Sequence, residues 1–142
     1  MKSLFSHRGA AAVEFALVLI PLIILTFGLI EFGLLMYNQQ VLTNATREGA
    51  RYGIVMTTPT NPITPAMTKQ VVSDYALSHL ITLGSGGGNL NPTADRACGP
   101  GTFGSDLTVG ATYDYAFLVT ANFIPTLGPI ITLSSQSVMK CE

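Results

Sequence analysis

Between Ala10 and Ile30 the chain carries 21 residues in which the only charged side chain is Glu14. As an α-helix this run rises about 31 Å, the thickness of a bilayer's hydrocarbon core, which predicts a membrane-spanning helix. Pro21 removes one backbone hydrogen bond inside it and crowds the carbonyl of Leu17, so a kink or loosened turn is expected, as membrane helices tolerate. Glu14 is the anomaly, because an ionised carboxylate about one turn inside the hydrocarbon is costly unless compensated. Its neighbours one turn away, Ala10, Ala11, Leu17 and Val18, offer no cation. Either the carboxylate snorkels to the headgroups or a group outside the isolated helix neutralises it.

Lys2 and Arg8 precede the run, and no further cation occurs until Arg47. That asymmetry predicts a cytoplasmic amino terminus in a single-pass arrangement, with the remainder outside. A cleaved secretory signal is the rival reading, but the apolar stretch is longer than a usual signal core, contains Glu14 and lacks a clear A-x-A at its end. Cys98 and Cys141, the only two cysteines, fall in the part placed outside. In an oxidising compartment such an isolated pair reads as a disulfide sooner than as a redox or metal site.

The stretch G-A-A-A-V-E-F from Gly9 resembles a type IV prepilin processing site, with a leader glycine, cleavage, and glutamate as the fifth residue of the mature chain. Together with V-L-I-P-L around Pro21, F-G-L-I-E-F-G from Phe27 and L-T-N-A-T-R-E-G-A-R from Leu42, it resembles the TadE-like pseudopilins of the tight-adherence (Flp/Tad) pilus over about residues 8 to 53. Thr46 stands where that family leads one to expect a second alanine. The resemblance implies cleavage between Gly9 and Ala10 by a prepilin peptidase. It also implies an assembly role in which Glu14 pairs with a neighbouring subunit's new amino terminus. The implied location is a bacterial inner membrane with a periplasmic or extracellular head. The implied partners are the membrane, other pilins or pseudopilins, and the inner-membrane Tad assembly platform. The alternative is a single-pass anchored protein whose head binds a partner and never enters a filament.

Past the span, Glu31 is expected as a solvated end in the headgroup region and Tyr37 as an interfacial anchor. No breaker separates them from Tyr52, so the helix is expected to continue as a rod with an apolar stripe of Tyr37, Val41, Ala45 and Tyr52. Ala45, Gly49 and Gly53 recur every fourth residue and form a groove nearly free of side chains, predicted to receive the head. Gly53 also suits a helix C-terminus, whereas Gly49 costs about 1 kcal/mol against alanine and calls for a close-packed neighbour. A leucine at Gly49 is therefore expected to disturb packing more than one at Asn38. Arg47, Glu48 and Arg51 form a charge cluster whose arginines favour the helix's C-terminal dipole.

The prolines at 59, 62 and 65 impose a loop, and a second helix should start with Thr64 as cap and Pro65 at its first position. Its apolar face is expected to be Met67, Val71, Val72, Tyr75 and Leu80. Residues 85 to 104 read as a flexible loop, with GSGGG and CGPG inside it but no phosphate-loop context. Alternation from Leu107 to Val119 predicts a strand, Ile130 to Cys141 a weaker one, and sheet stability asks for a third near Ala94 to Cys98. The expected class is thus α+β: a long transmembrane and amphipathic helix, then a small head of one helix packed on an antiparallel sheet. Its divisions are a leader at 1–9, a span at 10–30, an extramembrane continuation at 31–55 and a head at 56–142.

With 7 basic and 8 acidic residues the chain has no basic face for nucleic acid. His7 and His79 are isolated, the cysteines lack metal-ligand spacing, and Asp106 and Asp114 fit a turn or solvated face. Asn44-Ala45-Thr46 matches a glycosylation acceptor but falls within a helix, where it reads as chance. No catalytic constellation, cofactor motif or small-molecule substrate site is predicted, and the chain is not expected to be an enzyme.

Overall fold

The computed structural model describes residues 4–55, 63–82, 88–99, 101–117 and 130–142, without the side chains of residues 4–8. Helix α1 runs unbroken from Leu4 to Gly53, through Pro21, and is followed by α2 (Pro65–His79) and strands β1 (Leu90–Ala94), β2 (Asp106–Ala116) and β3 (Ile130–Lys140). The strands form one antiparallel sheet in the order β1-β2-β3, so the class is α+β.

Two halves of α1 meet different surroundings. From Gly9 to Ile30 no residue is buried, and Leu17 and Leu29 are 71% and 75% exposed. Burial begins at Glu31 and continues through Leu35, Asn38, Leu42, Ala45, Gly49 and Gly53. The intervals of three and four residues define one stripe of the helix. The inward face is therefore rotated from the predicted Tyr37, Val41, Ala45 and Tyr52, since Tyr37 is exposed and Tyr52 only half-buried. Glu31 is likewise no solvated end, because the head's packing starts one turn higher than the apolar residues alone suggest.

Helix α2 is capped as predicted: Thr64 Oγ1 accepts from Met67 N at 3.3 Å, with Pro65 at the first helical position. Its buried face is Thr68, Val72 and Ala76. Small side chains point inward because α2 lies against the glycines of α1; Met67 instead faces out. A Cβ on Gly49 would overlap Val72 Cγ2, and one on Gly53 would lie 2.7 Å from Leu107 Cδ2 and 3.0 Å from Thr68 Oγ1.

In β2 the alternation holds, with Leu107, Val109, Ala111, Tyr113 and Tyr115 buried toward the helices. The strand ends at Ala116, and the predicted continuation to Val119 and the turn with Pro125, Gly128 and Pro129 lie outside the described residues, as do residues 56–62 and 83–87. The sheet is covered by both helices, not by α2 alone: α1 reaches β3 through Gln39 Nε2, which donates to Ser134 O at 2.9 Å, and through Thr46 Oγ1, 3.1 Å from Ser135 Oγ. The third strand lies at Leu90–Ala94, upstream of the predicted Ala94 to Cys98 and inside the predicted loop. Pro92 disguised it, yet an edge strand tolerates a residue without an N–H. CGPG is not a flexible linker in its described part. Gly101 and Gly104 adopt φ of +94° and +76°, which favours glycine. Thr102 Oγ1 accepts from Gly99 N at 2.7 Å within the same turn.

Asn38, the expected tolerant position, is fully buried, so the proper comparison for Gly49 is exposed Gln40. Gly49→Leu should lower head stability by about 1–3 kcal/mol through overpacking, and Gln40→Leu by less than about 0.5 kcal/mol. Equal protease resistance of the two variants would refute close packing at Gly49.

Candidate processing and assembly site on the N-terminal helix

Gly9 and Ala10 are adjacent on one turn of α1, Glu14 lies on the next, and all three are exposed. Among the described residues, nothing outside the helix approaches within 4 Å of where a Cβ on Gly9 would stand. Among the described residues no cation pairs with Glu14. Lys2 lies outside the described residues, as does the side chain of Arg8. Ala10 and Glu14 are four residues apart, so an amino group created at Ala10 would lie on the same helix face as the carboxylate.

The remaining sequence-predicted positions lie in the head. Ala45, Gly49 and Gly53 line the contact of α1 with α2 and β2 described above. Cys98 and Cys141 are bonded to each other and buried, with a Cα–Cα distance of 5.5 Å across a sequence separation of 43. The bond ties the end of β3 to the segment after β1, and beside it Cys141 N donates to Ser105 O at 2.9 Å. Closing a loop of that size stabilises the fold by about 4 kcal/mol in the chain-entropy account. Exported protein should yield a Cys98–Cys141 peptide pair on non-reducing mapping; two free thiols would overturn the assignment.

Two polar residues that the sequence reading left at the surface organise the upper head. Asn38 donates from Nδ2 to Ile81 O at 2.9 Å and accepts from Ile81 N at 3.0 Å, clamping the chain after α2 onto α1. Glu31 is buried at 4% exposure, near Tyr115. The signal that could have found both is the three-four spacing that runs upward from Gly53 and includes these polar positions. Burial pushes the Tyr115 phenol above its ordinary 10.0, and the Glu31 carboxylate and then Tyr113 add to the shift. Because the folded value exceeds the unfolded one, this stabilisation is fully present below about pH 10 and is lost as pH rises through the folded value. Tyr115→Phe should therefore flatten the loss of head stability in alkaline titration. An unchanged slope above about pH 10 would contradict the coupling.

Among the described residues, one open cleft of about 370 Å³ is lined by Thr93, Thr108, Thr112, Ser134 and Gln136 on the outer sheet face, and another of the same volume by Tyr52, Met67 and Val71. Neither contains a carboxylate, imidazole, thiol or amine. Ser78 Oγ lies 2.8 Å from His79 Nδ1, but both atoms also contact the carbonyl of Tyr75, a local arrangement at the end of α2. Asp106, at an exposed strand position, pairs with Lys140 at 2.8 Å, and the half-buried Asp114 accepts from Thr132 Oγ1 at 2.8 Å. Among the described residues no group of three or more His, Cys, Asp and Glu side chains could hold a metal.

Residues 9–51 match the model of a family described as TadE-like protein. The match covers less than a third of the chain and falls where the sequence motifs lie. No curated protein and no solved structure matches the chain.

Proposed function

We propose that this TadE-like chain is a minor pseudopilin of a tight-adherence pilus, non-enzymatic, cleaved by a prepilin peptidase after Gly9 and held in the inner membrane with its head outside. The observation that carries the reading is the placement of Glu14. It lies one turn beyond an exposed Gly9–Ala10 peptide, on a helix that is long and apolar enough to cross a membrane and has no buried residue from Gly9 to Ile30. Cleavage there would supply the cation that the intact helix lacks around Glu14. Pairing in trans between the carboxylate and a neighbour's amino terminus turns two poorly solvated charges into one assembly contact. The head then serves as a surface that sets which subunits meet, with other pilins, pseudopilins and the Tad assembly platform as the partners.

Intact mass and amino-terminal sequencing of membrane-extracted protein should show a mature chain beginning at Ala10. A chain retaining residues 1–9 would favour the permanent single-pass anchor, and one beginning beyond Ile30 would make the helix a secretory signal. Glu14→Ala should insert into the membrane more readily, by a few kcal/mol, because a charge is removed from the hydrocarbon. Assembly should fail nonetheless, since a partner's amino terminus loses its counter-ion. A Glu14→Ala protein that is cleaved, inserted and fully competent in piliation would refute the pairing.

A further inference from the structure

The direction of each element fixes which end of the head faces the span. Gly53 lies against Leu107 and Gly49 against Val109, so β2 runs opposite to α1 and β3 runs with it. From Gly53 up to Glu31 the helix rises about 33 Å, and from Leu107 to Tyr115 the strand advances about 27 Å. Tyr115 and Ala116 thus reach the level of Glu31, the first residue after the apolar run, and Tyr115 lies close enough to feel the Glu31 carboxylate. Their cross-strand partners are Ile131 and Ile130.

Among the described residues, that end of the head carries exposed apolar side chains. Ile130 and Ile131 are 58% and 39% exposed, and Phe32 stands exposed on α1 just past the run. Phe117 beside them packs edge-to-face on Tyr115. The charges lie elsewhere. Arg47 and Arg51 are on the last turns of α1, Lys69 near the start of α2, Arg96 after the far end of β1, and Lys140 opposite Asp106. All five cations beyond the span therefore lie toward the far end. At the near end the only described carboxylates are Glu31, which is buried, and Asp114, bonded to Thr132.

We propose that this end of the head, formed by Phe32, Ile130 and Ile131, is a membrane-contact surface seated in the boundary between lipid headgroups and acyl chains. The inference rests on the reading of α1 as a membrane span. The occupant is lipid because Phe32 follows directly on the apolar run of α1, and the antiparallel strands packed on that helix place Ile130 and Ile131 at the depth where the run stops. The attraction is apolar, so it requires no anionic lipid and is insensitive to salt. Seating the head also excludes water from around Glu31 and holds the head upright on its anchor.

The chain contains no tryptophan, so single replacements report on a silent background. Ile130→Trp and Val138→Trp occupy similarly exposed positions, 58% and 55%, on the same strand. They are separated by about 26 Å along it. The full chain carrying either is reconstituted into phosphatidylcholine vesicles with brominated acyl chains. The Ile130→Trp protein should emit at shorter wavelength, lose most of its fluorescence to the brominated lipid and resist aqueous acrylamide at low and high salt alike. The Val138→Trp protein should be quenched by acrylamide and not by lipid. Vesicle-bound protein in which both tryptophans are open to acrylamide overturns the proposal while leaving the anchor intact. Shielding of Ile130→Trp from lipid and acrylamide together would put protein there and overturn it too. Failure to float with the vesicles would overturn the anchor and this inference at once.

Discussion

The head is built on the absence of side chains at Gly49 and Gly53. Because these positions present only backbone, Val72 and Thr68 of α2 and Leu107 and Val109 of β2 reach the surface of α1 itself. That approach buries Val72, Leu107 and Val109 completely in a chain too small to build a thick core. It also sets register, since a strand and a helix both anchored at the foot of α1 have their upper ends positioned by their own rise. The clamp of Asn38 on Ile81 and the disulfide between Cys98 and Cys141 then secure the two extremities of the same assembly.

A single helix therefore serves two environments, and the change between them is abrupt. From Gly9 to Ile30 α1 is apolar apart from Glu14 and Thr26 and none of its residues is buried, far more apolar surface than a water-soluble domain leaves open, which suits lipid or the matching helices of other subunits. From Glu31 onward, one stripe is buried in protein and the opposite face carries Gln40, Asn44, Arg47, Glu48 and Arg51. Polar residues in the buried stripe mark the transition. Asn38 is tolerable because both ends of its amide are satisfied by backbone, in keeping with the rule that buried polar groups find partners.

Much of this was legible in the residues, and the misses share a cause. The long helix, the cap at Thr64 and the alternation of β2 are local signals, carried by neighbours within one turn or one strand. The identity of the inward face is not local. Leu42 and Tyr37 are both apolar, and only the position of α2 decides that the stripe follows the glycines and so excludes the tyrosine. The same tertiary fact shifted the reading of α2: Val72 is buried and Tyr75 and Leu80 pack on the core as expected, but Thr68 and Ala76 take the innermost places because the space is narrow. Glu31 and Asn38 were missed because hydropathy assigns polar residues to the surface, whereas their spacing belongs to the buried stripe. β1 was hidden by Pro92, a strand breaker anywhere but at an edge. At the candidate site, the order of Gly9, Ala10 and Glu14 was readable, since it is a matter of spacing along one helix. What the fold adds is that no described residue of the head comes near Gly9.

The continuity of α1 also relates the candidate assembly site to the head in orientation. At about 100° per residue, Glu31 is displaced from Glu14 by roughly a quarter-turn around the axis, and Leu42 and Gly49 fall near the same bearing. The head hangs from that stripe, so the Glu14 face and the head face are nearly perpendicular. A neighbouring chain can therefore approach Glu14 from a side that the first chain's head does not occupy. Because no loop intervenes between Glu14 and the stripe, the direction of that approach also dictates which flank of the first head the second must pass. The pairing proposed at Glu14 would therefore constrain the rotation of each subunit as well as its depth. A flexible joint near Glu31 would have uncoupled the two; the buried Glu31 and Leu35 deny it one.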